Sequence, residues 1–180
     1  MLRVASVAAL LVLGLFMTAF GDAVPVVTAQ EATPADCPAT SAQDNEALAR
    51  RYFEQVLNEA DFTALDEILS PELAYHSGTR SAMSAGDVAE KVLPPILAGF
   101  PDVEYTIEQS FSGDDAVTLI WSAQGTQTGP FQGYAPTGKR ATWTGINVFR
   151  FACGRVVEVW AEADGLGRLR QIGVMGTPTP

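Results

Sequence analysis

Ala141-Thr142-Trp143-Thr144-Gly145-Ile146-Asn147-Val148-Phe149-Arg150-Phe151 runs through Ala152-Cys153-Gly154-Arg155 into Val156-Val157-Glu158-Val159-Trp160-Ala161-Glu162-Ala163-Asp164. Side chains alternate across a strand, so the first run puts Trp143, Gly145, Asn147, Phe149 and Phe151 on one face. The four residues between the runs form a tight turn, which makes the pair a hairpin. The same period of two extends upstream. Val103, Tyr105 and Ile107 alternate with Glu104, Thr106 and Glu108. A turn at Ser112-Gly113-Asp114-Asp115 follows, then a long strand over Ala116 to Gln127 and a wide connection from Gly129 to Lys139.

Before Phe100 the period is helical. Asp44 or Asn45 offers an N-cap, after which Leu48, Tyr52, Phe53, Val56 and Leu57 recur on one face to about Glu59. Asp61 caps a shorter helix carrying Phe62, Leu65, Ile68 and Leu69, stopped by Ser70-Pro71. Leu73 to His76 reads as a short strand and Ser77 to Ala85 as a polar loop. A third helix spans Gly86 to Phe100, and Pro94-Pro95 demands a kink or a restart within it. Gly165 to Ile172 forms a short closing helix. Three helical stretches followed by four strands in hairpins predict an α+β domain with an antiparallel sheet.

The chain has 180 residues, 11 Lys and Arg against 21 Asp and Glu, and one His, for a formal charge of −10. No basic stripe exists to neutralise phosphates, which argues against nucleic acid, and the same acidity disfavours anionic membranes. A single His excludes a multi-His zinc site within one chain, and no zinc, nucleophile-elbow or phosphate-loop motif is present. We expect no metal and no cofactor.

Residues 1–29 have the layout of a secretory signal peptide: Arg3, an apolar run from Val4 to Phe20, and Val27-Thr28-Ala29 as a small-residue cleavage site. The competing reading is an uncleaved anchor, for which a 17-residue run is marginal. Residues 30–43 read as a flexible leader, 44–173 as the domain and 174–180 as a tail. Export would place Cys37 and Cys153 in an oxidising compartment, where they can pair in one way only. The alternative is two unrelated thiols.

The order and spacing of several segments resemble the SnoaL-like polyketide cyclase family, often labelled ester cyclase. They are Arg51-Tyr52-Phe53-Glu54-Gln55-Val56-Leu57-Asn58, Phe100-Pro101-Asp102, Gly125 to Phe131, Pro136 to Arg140, Trp143 to Phe151, Gly154 to Trp160 and Asp164-Gly165-Leu166-Gly167. The resemblance covers Asn45 to Gly173. It implies a nuclear-transport-factor-2-like cone, a curved sheet packed against N-terminal helices around a pocket. It also implies a cofactor-free reaction in which an acidic residue on the C-terminal part of the sheet removes a proton next to a ketone and the enolate closes a ring. Dimerisation through the outer sheet face is a further implication, giving a homodimer.

For the base, the sequence offers Asp164 first and Glu162 second, with an N-cap on the last helix as the structural role open to Asp164 and a solvated strand position as that open to Glu162. His76, the one histidine, could hold a carbonyl oxygen, share the proton work or pair with a carboxylate. Trp121, Trp143, Trp160 and Tyr52 are candidates for the ligand wall as well as for core. Asn147 needs a partner if buried, either an oxyanion or another side chain. Alternation puts Glu158, Trp160, Glu162 and Asp164 on one face of the last strand without saying which face lines a cavity.

Three functions follow as expectations. The first is a secreted protein that binds a small apolar carbonyl compound and cyclises or isomerises it through an enolate. The second is an extracellular carrier or sensor without catalysis. The third is an epoxide-hydrolase-like enzyme, which requires a tight cluster of Asp, Arg and Asn or Tyr; by alternation Arg150 lies opposite Asn147 and does not supply it.

Overall fold

The computed structural model describes residue 37, residues 40–78 and residues 80–176. The expected signal segment 1–29, most of the leader and the end of the tail lie outside these. Helix α1, Ala42–Arg51, starts earlier than the sequence suggested, because Ser41 and not Asp44 or Asn45 is its N-cap. Ser41 and Asp44 cap each other's backbone amides in a reciprocal box, the lowest-cost way to satisfy the first turn. Asn45 is instead buried, donating to the Asp114 carbonyl at 2.9 Å and accepting from Thr40 Oγ1 at 2.5 Å. It ties the helix start to a turn of the sheet.

The helix continues with π-type hydrogen bonding over Tyr52–Asn58, burying Tyr52, Phe53, Val56 and Leu57. A 3-10 turn, Phe62–Ala64, capped by Asp61, leads into α2, Leu65–Ile68. The expected helix at Gly86 to Phe100 is built from α3, Ala85–Asp87, a π-helical stretch, Val88–Val92, and α4, Leu93–Gly99. The two prolines sit in the first turn of α4, where a missing amide hydrogen costs no helical bond. They act as a restart.

The strands are β1, Leu69–Ser77; β2, Arg80–Met83; β3, Glu104–Ser112; β4, Ala116–Thr126; β5, Arg140–Ala152; and β6, Arg155–Ala163, followed by α5, Gly165–Gln171. They form one sheet in the order β2-β1-β6-β5-β4-β3. β3 to β6 are an antiparallel meander, as the alternation predicts. β1 is longer than expected and runs parallel to β6, and the expected polar loop after it contains β2. Register shifts at Ile107/Gln109 and Arg150/Phe151 mark bulges, which bend strands and let the sheet curve over the helices.

The β5–β6 turn has positive φ at Cys153 (55°) and Gly154 (73°), the backbone that a two-residue hairpin turn requires. Cys153 is disulfide-bonded to Cys37 across a sequence separation of 116.

The core lies between the sheet's inner face and α1 with its extension. Phe53 meets Tyr52, Tyr105, Trp121 and Phe149 with ring centroids 5.9 to 6.4 Å apart. On β4 and β5 every second residue is buried, Val117, Leu119, Trp121 and Ala123 on one and Ala141, Trp143, Gly145, Asn147, Phe149 and Phe151 on the other. Glu46, on the polar face of α1, accepts from Ser110 and Ser112 of β3, each at 2.7 Å, and clamps helix to sheet.

Candidate active site

A cavity of about 410 Å³ lies under the sheet. Its inner wall is aromatic: Tyr52 and Phe53 from the first helix, Tyr75 from β1, Tyr105 from β3, Trp121 from β4 and Trp143 from β5. Phe131 from the β4–β5 connection and Leu93 and Ile96 from α4 close one side. The exposed residues Lys91, Pro95, Gln132 and Glu162 form the rim. Such a chamber suits an apolar ligand of modest size with a few oriented polar atoms.

Gln127, fully buried, organises the wide connection. Its amide donates to the carbonyls of Gly129 and Ala135, and its oxygen accepts from the amide and hydroxyl of Thr137. All four of its hydrogen-bonding positions are used, which holds the loop carrying Phe131 in place. Gly129 is required there: a Cβ would sit 1.9 Å from the Ala98 carbonyl oxygen.

Asn147 has a protein partner. Its Oδ1 accepts from Trp121 Nε1 at 2.9 Å. An indole N–H only donates, so the amide must present its oxygen to Trp121, and its NH₂ is the group left for the cavity that Asn147 lines. The cavity tyrosines stay protonated. Burial pushes the phenols of Tyr52 and Tyr75 well above the ordinary value, and that of Tyr105 up to about 12 against the opposing pull of nearby Arg168. They are therefore neutral hydroxyls at any ordinary pH.

The parity of β6 separates the sequence candidates. Asn147 faces Ala161 and Phe149 faces Val159 across the β5–β6 ladder, so the small residues of β6 point inward. Glu158 and Trp160 therefore belong to the outer face, and Glu162 leaves from the same side near the end of β6, at the cavity rim. Trp160 is 42% exposed and stacks on His76 at 5.2 Å. His76 Nε2 bonds Glu158 Oε1 at 2.8 Å, and Arg150 Nε donates to Glu158 Oε2 at 2.9 Å. His76 thus pairs with a carboxylate on the outer face and does not line the cavity. Asp164 is exposed and does not line it either: it caps α5, accepting from Gly167 N at 2.7 Å. Glu162 is the one of the two candidate bases on the cavity lining, near the C-terminal end of β6, where its Oε1 accepts from Gly78 N at 3.0 Å.

Several lining residues were missed by the sequence reading, Tyr75, Tyr105, Phe131 and Arg168 among them. Arg168, on α5, packs its guanidinium 4.7 Å from the Phe131 centroid and 4.8 Å from that of Trp143. A signal was available, since Arg168 stands one helical turn before Ile172, which is fully buried. Burial lowers the Arg168 pKa from its ordinary value, opposed by the charge of Asp164 and by Tyr105.

A curved sheet wrapped over helices around an aromatic-walled cavity defines the class, a nuclear-transport-factor-2-like α+β domain. The chain belongs to the SnoaL-like polyketide cyclase family, whose model matches residues 47–172. Among solved structures it is similar to AclR of Streptomyces galilaeus, provisionally described as a hydroxylase (27% identity, 77% of this chain and 87% of that one, TM-score 0.69). It is also similar to IdmH of Streptomyces antibioticus, provisionally described as a polyketide cyclase (26% identity, 72% and 98%, TM-score 0.64). A protein of Jannaschia sp. CCS1, provisionally described as a SnoaL-like polyketide cyclase, shares the fold (22% identity, 74% and 94%, TM-score 0.68). No curated protein matches the chain.

Proposed function

We propose that this chain is an exported protein that binds a small, largely apolar carbonyl compound and moves a proton next to the carbonyl without a cofactor. The observation that carries this is the composition of the cavity: aromatic walls, neutral phenols and an amide NH₂ inside, and one carboxylate, Glu162, on its lining. In this reading Glu162 takes the α-proton as general base, with Gly78 N–H holding one of its oxygens. The Asn147 amide and the tyrosine hydroxyls are the donors for the enolate oxygen. The enolate carbon then attacks a second carbonyl to close a ring, or is reprotonated elsewhere to isomerise. The family and the description of IdmH support this class of chemistry.

A carrier or sensor is the second reading, favoured by one observation, that Glu162 and Asp164 both face solvent. The epoxide-hydrolase reading lacks support, because the cavity lining among the described residues contains no aspartate. Export rests on the layout of residues 1–29, and the Cys37–Cys153 disulfide is compatible with it. A homodimer would form on the outer sheet face, where Ile146 and Trp160 are 46% and 42% exposed.

Proton NMR of simple ketones and β-keto esters in heavy water with the oxidised protein tests the enzyme reading. Loss of the α-proton signal that survives Asp164→Asn and disappears in Glu162→Gln supports it. Line broadening without exchange favours the carrier.

A further inference from the structure

Arg168 is the one charged residue set against the aromatic wall among the described residues that line the cavity. The other two, Lys91 and Glu162, are exposed at the rim, and Lys91 is ion-paired with Asp87. The guanidinium faces of Arg168 are covered by Phe131 and Trp143, with Phe100 further off at 5.9 Å. Stacking uses the π faces and leaves the in-plane N–H donors unspent. Arg168 Nε is buried with no hydrogen-bond partner, and so is Trp143 Nε1, beside it in the same wall. No salt bridge to Arg168 occurs among the described residues. Arg170 Nε is likewise unpartnered but does not line the cavity.

Both orphaned groups can only donate. A partly buried cation is costly to the fold when its nearby carboxylate, Asp164, is engaged in capping α5 and forms no ion pair with it, as is a buried N–H without an acceptor. An anionic oxygen pair offsets the unpaired cation, and a carboxylate matches the planar fork of a guanidinium. The rest of the wall is aromatic, so the remainder of such a ligand is apolar and ring-sized.

We infer that the cavity takes an organic acid, an apolar ring system bearing a carboxylate, with Arg168 as its counter-cation. This rests on the reading of the cavity as a small-molecule site and narrows its ligand class from neutral carbonyl compounds to acids, β-keto acids among them. Arg168 is here a binding and specificity residue, and the inference needs no catalysis.

The test is isothermal titration of the oxidised full chain with a matched pair, 2-naphthoate and methyl 2-naphthoate, at pH 7. The acid is expected to bind about tenfold or more tighter than the ester, the strength of a charge-assisted pair. Arg168→Met keeps the length and the apolar stem. It is expected to lose that preference, weakening the acid about tenfold or more and the ester less than about threefold. Arg168→Lys keeps the charge without the fork and is expected to fall between. Circular dichroism and melting check that each variant folds; if Arg168→Met does not, the wild-type ratio and Arg168→Lys decide. Ester binding as tight as acid binding in the wild type, or Arg168→Met weakening both equally, overturns the inference and leaves the cavity reading standing. Failure of both compounds to bind the wild type overturns the inference together with that reading.

Discussion

Trp121 donates its indole N–H to Asn147 Oδ1 over 2.9 Å, and the indole reaches there by lying across Gly145, a residue without a side chain. A Cβ on Gly145 would sit 2.2 Å from Trp121 Cζ2 and 2.5 Å from the Glu162 carbonyl oxygen. One glycine therefore sets the depth of the wall, the partner of the buried amide and the approach of β6. Gly145→Ala is expected to destabilise by about 1–3 kcal/mol, since neither the buried ring nor the strand backbone can retreat cheaply. The corresponding fall in melting temperature is roughly 3–10 °C. Calorimetry of the oxidised protein checks it.

The Asn147–Trp121 bond is also separable by a double-mutant cycle. Asn147→Leu leaves the Trp121 N–H buried without an acceptor, at a cost of about 1–3 kcal/mol. Trp121→Phe in the same chain removes the orphaned donor, so the double variant is expected to be more stable than the sum of the two singles. Strict additivity in denaturant titrations would show that the bond contributes no coupling.

Much of this fold was legible in the sequence because its main signals are local. The alternation on β4 and β5 is strict, and the turn at Cys153-Gly154 is tight, so the meander followed from period alone. β2 was not legible: Arg80–Met83 is short, sits at the sheet edge and pairs only with β1. The parallel β1–β6 pairing joins residues such as His76 and Trp160, far apart in the chain, which no local pattern reports. For the site, the β6 alternation was read correctly but its inward face was not decided. Inward-facing Asn147 and Phe149 decide it through the ladder, by facing Ala161 and Val159. Arg168 escaped notice because α5 is brief and glycine-rich, and a charged residue on such a turn reads as solvent-facing until its covering aromatics are seen.

Acid stability is expected to depend on Glu46. Hydrogen bonds from Ser112, Ser110 and Arg50 hold its carboxyl well below the ordinary range, at about 2. A carboxylate whose folded pKa is depressed stabilises the fold above its unfolded value, and that contribution is lost as pH falls from about 4.5 toward 2. Glu46→Gln should therefore lower the melting temperature at pH 7 by roughly 2–4 °C, given its partial exposure, and flatten the decline between pH 4.5 and 2. Parallel pH–melting profiles of the two proteins would reveal an unchanged acid limb if the clamp contributes nothing.

The disulfide is expected to be the largest single stabilising link. Closing a loop with a sequence separation of 116 constrains the unfolded chain by about 4–5 kcal/mol in the chain-entropy description. Reduction, or Cys153→Ser, should lower the melting temperature by roughly 10–18 °C. Mass spectrometry of the intact protein with and without reductant confirms the bond. An unchanged melt would mean that the segment before α1 adds nothing to the stability of the domain.

Asp164 and Glu162 make opposite predictions although they stand two residues apart. Asp164 accepts Gly167 N–H and starts α5, the helix that carries Arg168 to the aromatic wall. Loss of that cap in Asp164→Ala should cost about 1 kcal/mol and loosen the position of Arg168. Asn caps a helix as well as Asp does, so Asp164→Asn should retain both stability and any proton exchange. Glu162 bonds Gly78 at the end of β6 and lines the cavity, so Glu162→Gln should leave the melting temperature within about 1–2 °C while abolishing exchange. Exchange lost in Asp164→Asn, with the melt unchanged, would transfer the base to Asp164. That result would require α5 to move on ligand binding, because in this arrangement the Asp164 carboxylate is committed to its own helix.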